Sequence, residues 1–132
     1  MKYMLMMHAP RGTGEWAVMN WTPGALKAHI AFMKDLNTEL RAAGQLVTAE
    51  GLAPPTQARL VRVGEGGAPL VTDGPFAEAK EFLAGYWIVE VEHAEEAYAI
   101  AARASSAPGP DGTPLSIVIE VREVMSAPPL EP

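Results

Sequence analysis

The order of apolar segments in this chain predicts an α+β fold, in which two helices cover one face of a single sheet. Two amphipathic helical stretches, each flanked by apolar segments of strand length, support this prediction. The order is strand, helix, strand, hairpin, strand, helix, strand, which is the split β-α-β arrangement called ferredoxin-like. The sheet face that no helix covers is most economically buried against a second copy of the chain, so we expect a homodimer.

The first helix has clear start and stop signals. Thr22 and Pro23 match an N-cap residue followed by proline at the first helical position, and Gly44 is a typical stop. At about 100° per residue, the apolar side chains fall in one arc: Leu26, Ile30, Met33, Leu36 and Leu40. His29 and Asn37 are polar residues within that arc, and both are expected to point toward the sheet.

The second helix is predicted over residues 94–105. Its inner face consists mostly of small side chains: Ala94, Ala97, Tyr98, Ala101 and Ala104. Apolar or alternating segments predict strands at residues 3–7, 45–52, 59–63, 70–72, 85–91 and 115–124. The glycine-rich turn at residues 64–67 joins two of these strands in a hairpin.

The remaining segments are interpreted as loops around one domain, residues 1–126. The segment 11–21 is unusually apolar for a loop, and its Trp16, Met19 and Trp21 are expected to fold over the core or a partner. The proline-rich tail, residues 127–132, is expected to be mobile or to lie along a neighbour.

Composition excludes several classes of function. The chain has 132 residues, 48% of them hydrophobic and 20% charged, which suits one globular domain. A net charge of −6 with no basic stripe disfavours nucleic acid as a partner. The absence of cysteine excludes disulfides and thiolate chemistry. The opening MKYMLMM is too short for a signal peptide or a membrane span, so we expect a cytoplasmic protein with no membrane partner.

Asp73 is the leading candidate for chemistry, because it precedes the corner Gly74–Pro75 in a cluster with Glu78, Lys80 and Glu81. A carboxylate held by backbone geometry is suited to act as a general base or a substrate anchor. The structural alternative is that Asp73 accepts hydrogen bonds from the backbone amides that follow it and fixes the turn.

His29 is the second catalytic candidate, with Asp73 as its expected partner. Histidine is the usual general acid or base near neutral pH, and this one faces inward. The alternative is a core histidine that hydrogen-bonds a backbone carbonyl.

Three further residues are candidates for substrate binding: Lys80, Glu50 and His8. Lys80 has no carboxylate at helical spacing, so Asp73, Glu50 or a bound anion is its expected partner, unless it is a solvated surface lysine.

No metal or cofactor is predicted. The three histidines show no local ligand spacing, there is no cysteine, and the glycine-rich segment 64–67 lacks the lysine and helix of a phosphate loop.

Four segments resemble those of a known family. The central one reads VTDGPFAEAKEFLAGYWIVEV, and two others are the opening MKYMLMM and the stretch ELRAAGQLVTAEGL, which includes the end of the first helix. Together with the late EVREVM strand, they resemble the YCII-related, or DGPF-domain, proteins. The resemblance implies a dimeric ferredoxin-like α/β barrel, similar in shape to muconolactone-isomerase-type enzymes. Relatives are suspected enzymes whose histidine is one turn further along the first helix, where this chain has Met33.

Two functions are consistent with these residues. One is a cofactor-free enzyme that performs acid/base chemistry, an isomerisation or elimination, on a small organic acid. Such an enzyme needs only a positioned carboxylate, a histidine and a cation for the substrate. The alternative is a non-catalytic module that binds a ligand or another protein. Whether the chain is an enzyme is left open at this point.

Overall fold

The computed structural model describes residues 1–10, 21–76 and 80–125. Two helices are present in this part of the chain: α1 (Pro23–Ala42) and α2 (Ala94–Ser105). It also contains six strands: β1 (Lys2–Pro10), β2 (Leu46–Gly51), β3 (Arg59–Val63), β4 (Pro69–Asp73), β5 (Glu81–Glu90) and β6 (Ile119–Glu123). The predicted α+β fold is confirmed, and it is consistent with a ferredoxin-like arrangement.

Four strands form the main sheet in the order β2-β5-β1-β6, with every pair antiparallel. The first strand therefore lies centrally, as expected of its apolar run. The strands β3 and β4 pair with each other in a separate two-stranded sheet. The sequence-predicted hairpin is thus confirmed, and Asp73, at the end of β4, belongs to this small sheet rather than to the main one.

The core lies between the main sheet and the two helices. Alternate residues of the central strands enter it, because neighbouring side chains on a strand point to opposite faces. Its buried members are Tyr3, Leu5, Met7, Trp87, Val89 and Val91 from the sheet side, Leu36 and Leu40 from α1, and Ala97, Ile100, Ala101 and Ala104 from α2.

Alternation leaves four half-buried apolar side chains on the opposite face. Met4 pairs with Ile88, and Met6 pairs with Tyr86, on the two central strands. We call this four-residue surface the outer face. It is the face that the sequence analysis expects a second copy to cover.

The ends of α1 follow the predicted signals. Thr22 has extended backbone angles, and its side-chain oxygen accepts a hydrogen bond from the amide of Ala25 at 3.2 Å, which satisfies one free donor of the first turn. Gly44 follows the helix with a φ of 71°, a left-handed conformation that glycine adopts at low cost.

The inner face of α2 differs from the prediction at one residue. Tyr98 is 55% exposed, whereas Ile100, which was not assigned to the inner face, is buried. On the helical wheel Ile100 lies beside Ala104 and Ala97, while Tyr98 lies beyond Ala101 on the other side. The buried arc is therefore rotated toward Ile100, which offers more apolar area than the alanines.

Two strands begin more than one residue away from the predicted position. β5 starts at Glu81 rather than Gly85, because β1 extends to Pro10 and pairs with it through a register shift after Met7. β6 starts at Ile119 rather than Leu115, since Ser116 has a φ of 54° and interrupts the extended backbone.

Some sequence-based predictions concern residues outside the described ranges. They are the loop side chains Trp16 and Met19, Glu78 behind the Gly-Pro corner, and the tail at residues 127–132. Among the described residues, neither helix has the length and apolar composition needed to cross a membrane.

Candidate functional site

A cavity of about 800 Å³ lies between α1 and the edge of the sheet formed by β2 and β5. This volume is in the range of small-molecule sites. Most of its lining is apolar: Met7, Met33, Ala49, Gly51, Leu52, Pro54, Pro55, Phe82, Ala84, Gly85, Tyr86 and Trp87. The polar lining residues are His29, Asn37, Glu50 and Thr56. A largely apolar cavity with a few polar groups is the usual composition of a ligand pocket.

Local sequence explains how the two walls are built. His29, Met33 and Asn37 are spaced four residues apart on α1, so they form one stripe along the helix facing the cavity. On the other side, β2 ends at Gly51, and the chain turns through a short 3₁₀ helix at Pro55–Gln57. Pro54 and Pro55 have no backbone N–H to continue the ladder, so the strand cannot extend across the cavity mouth.

His29 is held in a defined orientation at the cavity wall. Its Nδ1 lies 3.0 Å from the carbonyl oxygen of Pro108, 79 residues later in the chain. A carbonyl oxygen only accepts hydrogen bonds, so Nδ1 carries the proton and Nε2 of the neutral ring has a free lone pair. The ring also packs edge to face on buried Trp21, with centroids 5.2 Å apart and planes at 84°.

Asn37 anchors the floor of the cavity. Its Oδ1 accepts a hydrogen bond of 2.8 Å from the indole Nε1–H of Trp87. Trp87 is only 6% exposed, so this bond satisfies a donor that would otherwise be buried without a partner. The expectation that both polar residues of the α1 arc point toward the sheet is therefore met.

The structure does not bring Asp73 into the cavity. Asp73 ends β4 on the hairpin, its side chain is 94% exposed, and its carboxylate lies 3.7 Å from Nε of Arg59. It is not among the lining residues, and neither is Lys80, which is exposed just before β5. Asp73 and Lys80 therefore lie apart from His29 within one copy of the chain.

Glu50 and His8 have separate locations. Glu50 contributes to the cavity lining from the end of β2, but it pairs with Tyr86, so its side chain and the 3.3 Å hydrogen bond that it accepts from the hydroxyl of Thr48 lie on the side of the outer face. His8 lies 3.0 Å from Glu120, through its Nε2. Alternation along β1 places His8 on the same side of the sheet as Met6, so it belongs to the outer side rather than to the cavity.

The described ranges contain no group of three or more His, Cys, Asp or Glu side chains that could hold a metal ion. The polar side chains that α1 and the turn after β2 contribute to the lining are an imidazole, an amide and a hydroxyl. This set can accept or donate protons and hydrogen bonds to a small organic ligand.

The family comparison covers most of the fold. The model of the YCII-related domain matches residues 1–114, which include every strand and helix except β6. The chain belongs to the YCII-related family. A search of the curated proteins found no match to this chain.

Membership of the YCII-related family bears on α1 in particular. The resemblance places the histidine of relatives at the position of Met33, one turn after His29. In this YCII-related chain both positions line the same cavity. His29 lies one turn before Met33 on the same stripe of α1, so both side chains face the same cavity.

Sequence reasoning missed two parts of the site. The first is the cavity wall formed by the residues that follow β2. The Pro54–Pro55 pair was a usable signal that the strand stops there. The second is Pro108, the partner of His29. A contact across 79 residues leaves no local signal in a single sequence.

Proposed function

We propose that this YCII-related chain binds a small organic molecule in the cavity beside α1 and performs cofactor-free acid/base chemistry on it, an isomerisation or elimination. His29 is the proposed general acid or base, and its Nε2 is the atom that meets the ligand. The observation that carries the proposal is the fixed ring: Nδ1 donates to Pro108 while the side chain lines an apolar cavity. A base with a set tautomer needs no reorganisation before it takes a proton.

The proposed ligand is largely apolar, since aromatic and aliphatic side chains form most of the wall. The organic acid expected from the sequence stays a prediction. Lys80 and Asp73, its expected partners in binding and catalysis, do not line the cavity within one chain. Within one copy, the proposal therefore relies on His29.

The non-catalytic binding module is the second candidate. It is favoured by the 94% exposure of Asp73, the residue expected to act with His29, and by its ion pair with Arg59. The two candidates share the cavity and differ only in whether a proton moves. They are therefore separated by an experiment that reports binding and proton transfer independently.

A screen of small phenols, ketones and carboxylic acids by thermal shift is expected to find ligands that raise the Tm of the wild-type chain. Met33→Trp places a bulkier ring in the cavity beside His29 and should weaken the shift. His29→Gln should weaken binding about tenfold or more, because a polar ligand group loses its partner. His8→Gln is the matched control, since His8 pairs with Glu120 away from the cavity, and it should leave binding unchanged.

Proton transfer is then read from the same ligands in heavy water. For an acid/base enzyme, a carbon-bound hydrogen of the ligand exchanges with solvent, and His29→Gln lowers that exchange about 100-fold or more. Binding without exchange would favour the non-catalytic module. Equal binding by wild type, Met33→Trp and His29→Gln would reject the cavity as the site for both candidates.

We also propose that the chain forms a homodimer, the dimeric α/β barrel implied by the family resemblance, through its outer face. The support is the set of four half-buried apolar side chains on the side of the sheet opposite the helices. Sheet-to-sheet packing of two copies would bury them symmetrically.

Light scattering at micromolar concentration should give the mass of two chains for the wild type. Met4→Arg places a charge at the centre of the outer face, which is costly to bury, and should give the mass of one chain. Ala99→Arg, on an exposed position of α2, is the control and should remain dimeric. A monomeric wild type, or a dimeric Met4→Arg, would contradict this interface.

A further inference from the structure

The carbonyl that holds His29 belongs to a small closed loop, residues 107–115, which joins α2 to the last strand. Two backbone hydrogen bonds close it: Leu115 N donates to Ala107 O at 2.8 Å, and Gly109 N donates to Thr113 O at 2.7 Å. They flank the antiparallel bridge between Pro108 and Pro114. The loop is therefore a miniature hairpin rather than an irregular connection.

The two prolines explain why the Pro108 carbonyl is available. Because the hydrogen bonds are made by the flanking residues, Pro108 and Pro114 form a non-hydrogen-bonded pair. In such a pair the carbonyl points away from the opposite strand. The oxygen of Pro108 is thus directed out of the loop, where it accepts the Nδ1 proton of His29 at 3.0 Å.

The tip of the loop is closed by one carboxylate. Asp111 Oδ1 accepts a hydrogen bond of 2.6 Å from the hydroxyl of Thr113 and another of 3.1 Å from its amide. This is the Asx-turn geometry that aspartate favours. The hydroxyl and the amide of Thr113 also lower the pKa of Asp111, because both hydrogen bonds favour its ionised form. Gly112, with a φ of 84°, completes the tight turn.

We propose that Asp111 and Thr113 are positioning residues for His29. Neither touches the cavity, but the turn that they close fixes the loop, and the loop fixes the Pro108 carbonyl that selects the Nδ1–H form of the ring. The turn at the tip of the 107–115 loop therefore determines whether Nε2 is available to a ligand. The use of that nitrogen by a ligand rests on the proposed function, whereas the choice of tautomer does not.

The tautomer can be measured on the full-length protein without any ligand. A long-range proton–nitrogen correlation spectrum, recorded at mildly alkaline pH so that the ring is neutral, distinguishes a protonated Nδ1 from a protonated Nε2. The wild type should show His29 mainly as Nδ1–H. Asp111→Ala should lower the ratio of Nδ1–H to Nε2–H about fivefold, the effect of losing one net hydrogen bond.

Conservative variants separate positioning from simple stability. Asp111→Asn keeps an oxygen that can accept from Thr113, so it should preserve the wild-type tautomer. Asp35→Ala, which removes an exposed acid from α1, is the control for lost charge and should also preserve it. An unchanged indole N–H signal of Trp87 confirms that each variant retains the fold. Thr113→Val removes only the hydroxyl and should produce a smaller shift in the same direction.

A wild-type tautomer in folded Asp111→Ala would overturn the proposal, and so would an equal loss in Asp111→Asn. Failure of the ligand screen would leave the tautomer result intact. Conversely, ligand binding with no effect of Asp111 on the tautomer would leave the proposed function intact and reject only the positioning role.

Discussion

Gly85→Ala is expected to destabilise the fold by about 1–3 kcal/mol, the usual cost of adding a methyl group to a packed interior. A Cβ on Gly85 would lie 2.8 Å from the carbonyl oxygen of Glu50, and this neighbour is backbone rather than a flexible side chain. Gly85 is buried in β5, where it pairs with Gly51 on one side and Met7 on the other. To relieve this contact, β2 would have to move away from β5, and that movement would also shift the wall of the cavity.

Gly51 provides the matched control for this substitution. It is the direct strand partner of Gly85, but a Cβ on it would meet nothing within 4 Å. Gly51→Ala should therefore change the free energy of unfolding by less than about 1 kcal/mol, with stabilisation favoured by the reduced freedom of the unfolded chain. Urea denaturation of the two variants checks the contrast. Equal stability of Gly85→Ala and wild type would contradict the close approach of β2 and β5.

Asn37→Leu is expected to cost about 1–3 kcal/mol, because it leaves the indole N–H of Trp87 buried without an acceptor. Leucine keeps the branched heavy-atom skeleton of asparagine but offers no acceptor for the indole N–H. The effect should therefore come from the hydrogen bond rather than from lost packing.

A double-mutant cycle isolates that hydrogen bond. Trp87→Phe removes the N–H donor while keeping an aromatic ring in the core. In the Trp87→Phe background, Asn37→Leu should cost much less than in the wild type, which gives a coupling of about 1 kcal/mol or more. Additive costs in chemical denaturation would show that the bond contributes nothing to stability, and the floor of the cavity would need another explanation.

Most of the fold could be predicted because its signals are local. Thr22–Pro23 and Gly44 bound α1, and alternation along each strand indicates which residues face the core. The predictions were wrong where tertiary packing determines which residues are buried. Tyr98 and Ile100 lie at opposite edges of the apolar arc of α2, and only the position of the helix on the sheet determines which edge is buried.

The site was less predictable, because its parts are distant in sequence. His29 was identified from its place in the apolar arc of α1, and it does line the cavity. Its expected partner, Asp73, has a fixed backbone, but the hairpin that carries it is a separate two-stranded sheet. The group that meets His29 is instead the Pro108 carbonyl. This agrees with the alternative prediction of a histidine bonded to a backbone carbonyl, but no side-chain motif indicates which residue supplies that carbonyl.

The central claim is that Nε2 of His29 is the reactive atom of the cavity. It is tested most directly by following both ring nitrogens of His29 while the best ligand of the thermal-shift screen is added. We predict a ring that starts with its proton on Nδ1 and whose Nε2 resonance moves on binding, while both nitrogens of His8 stay unchanged. A ring protonated on Nε2 in the free protein, or a bound ligand that leaves the Nε2 resonance of His29 unmoved, would contradict the claim.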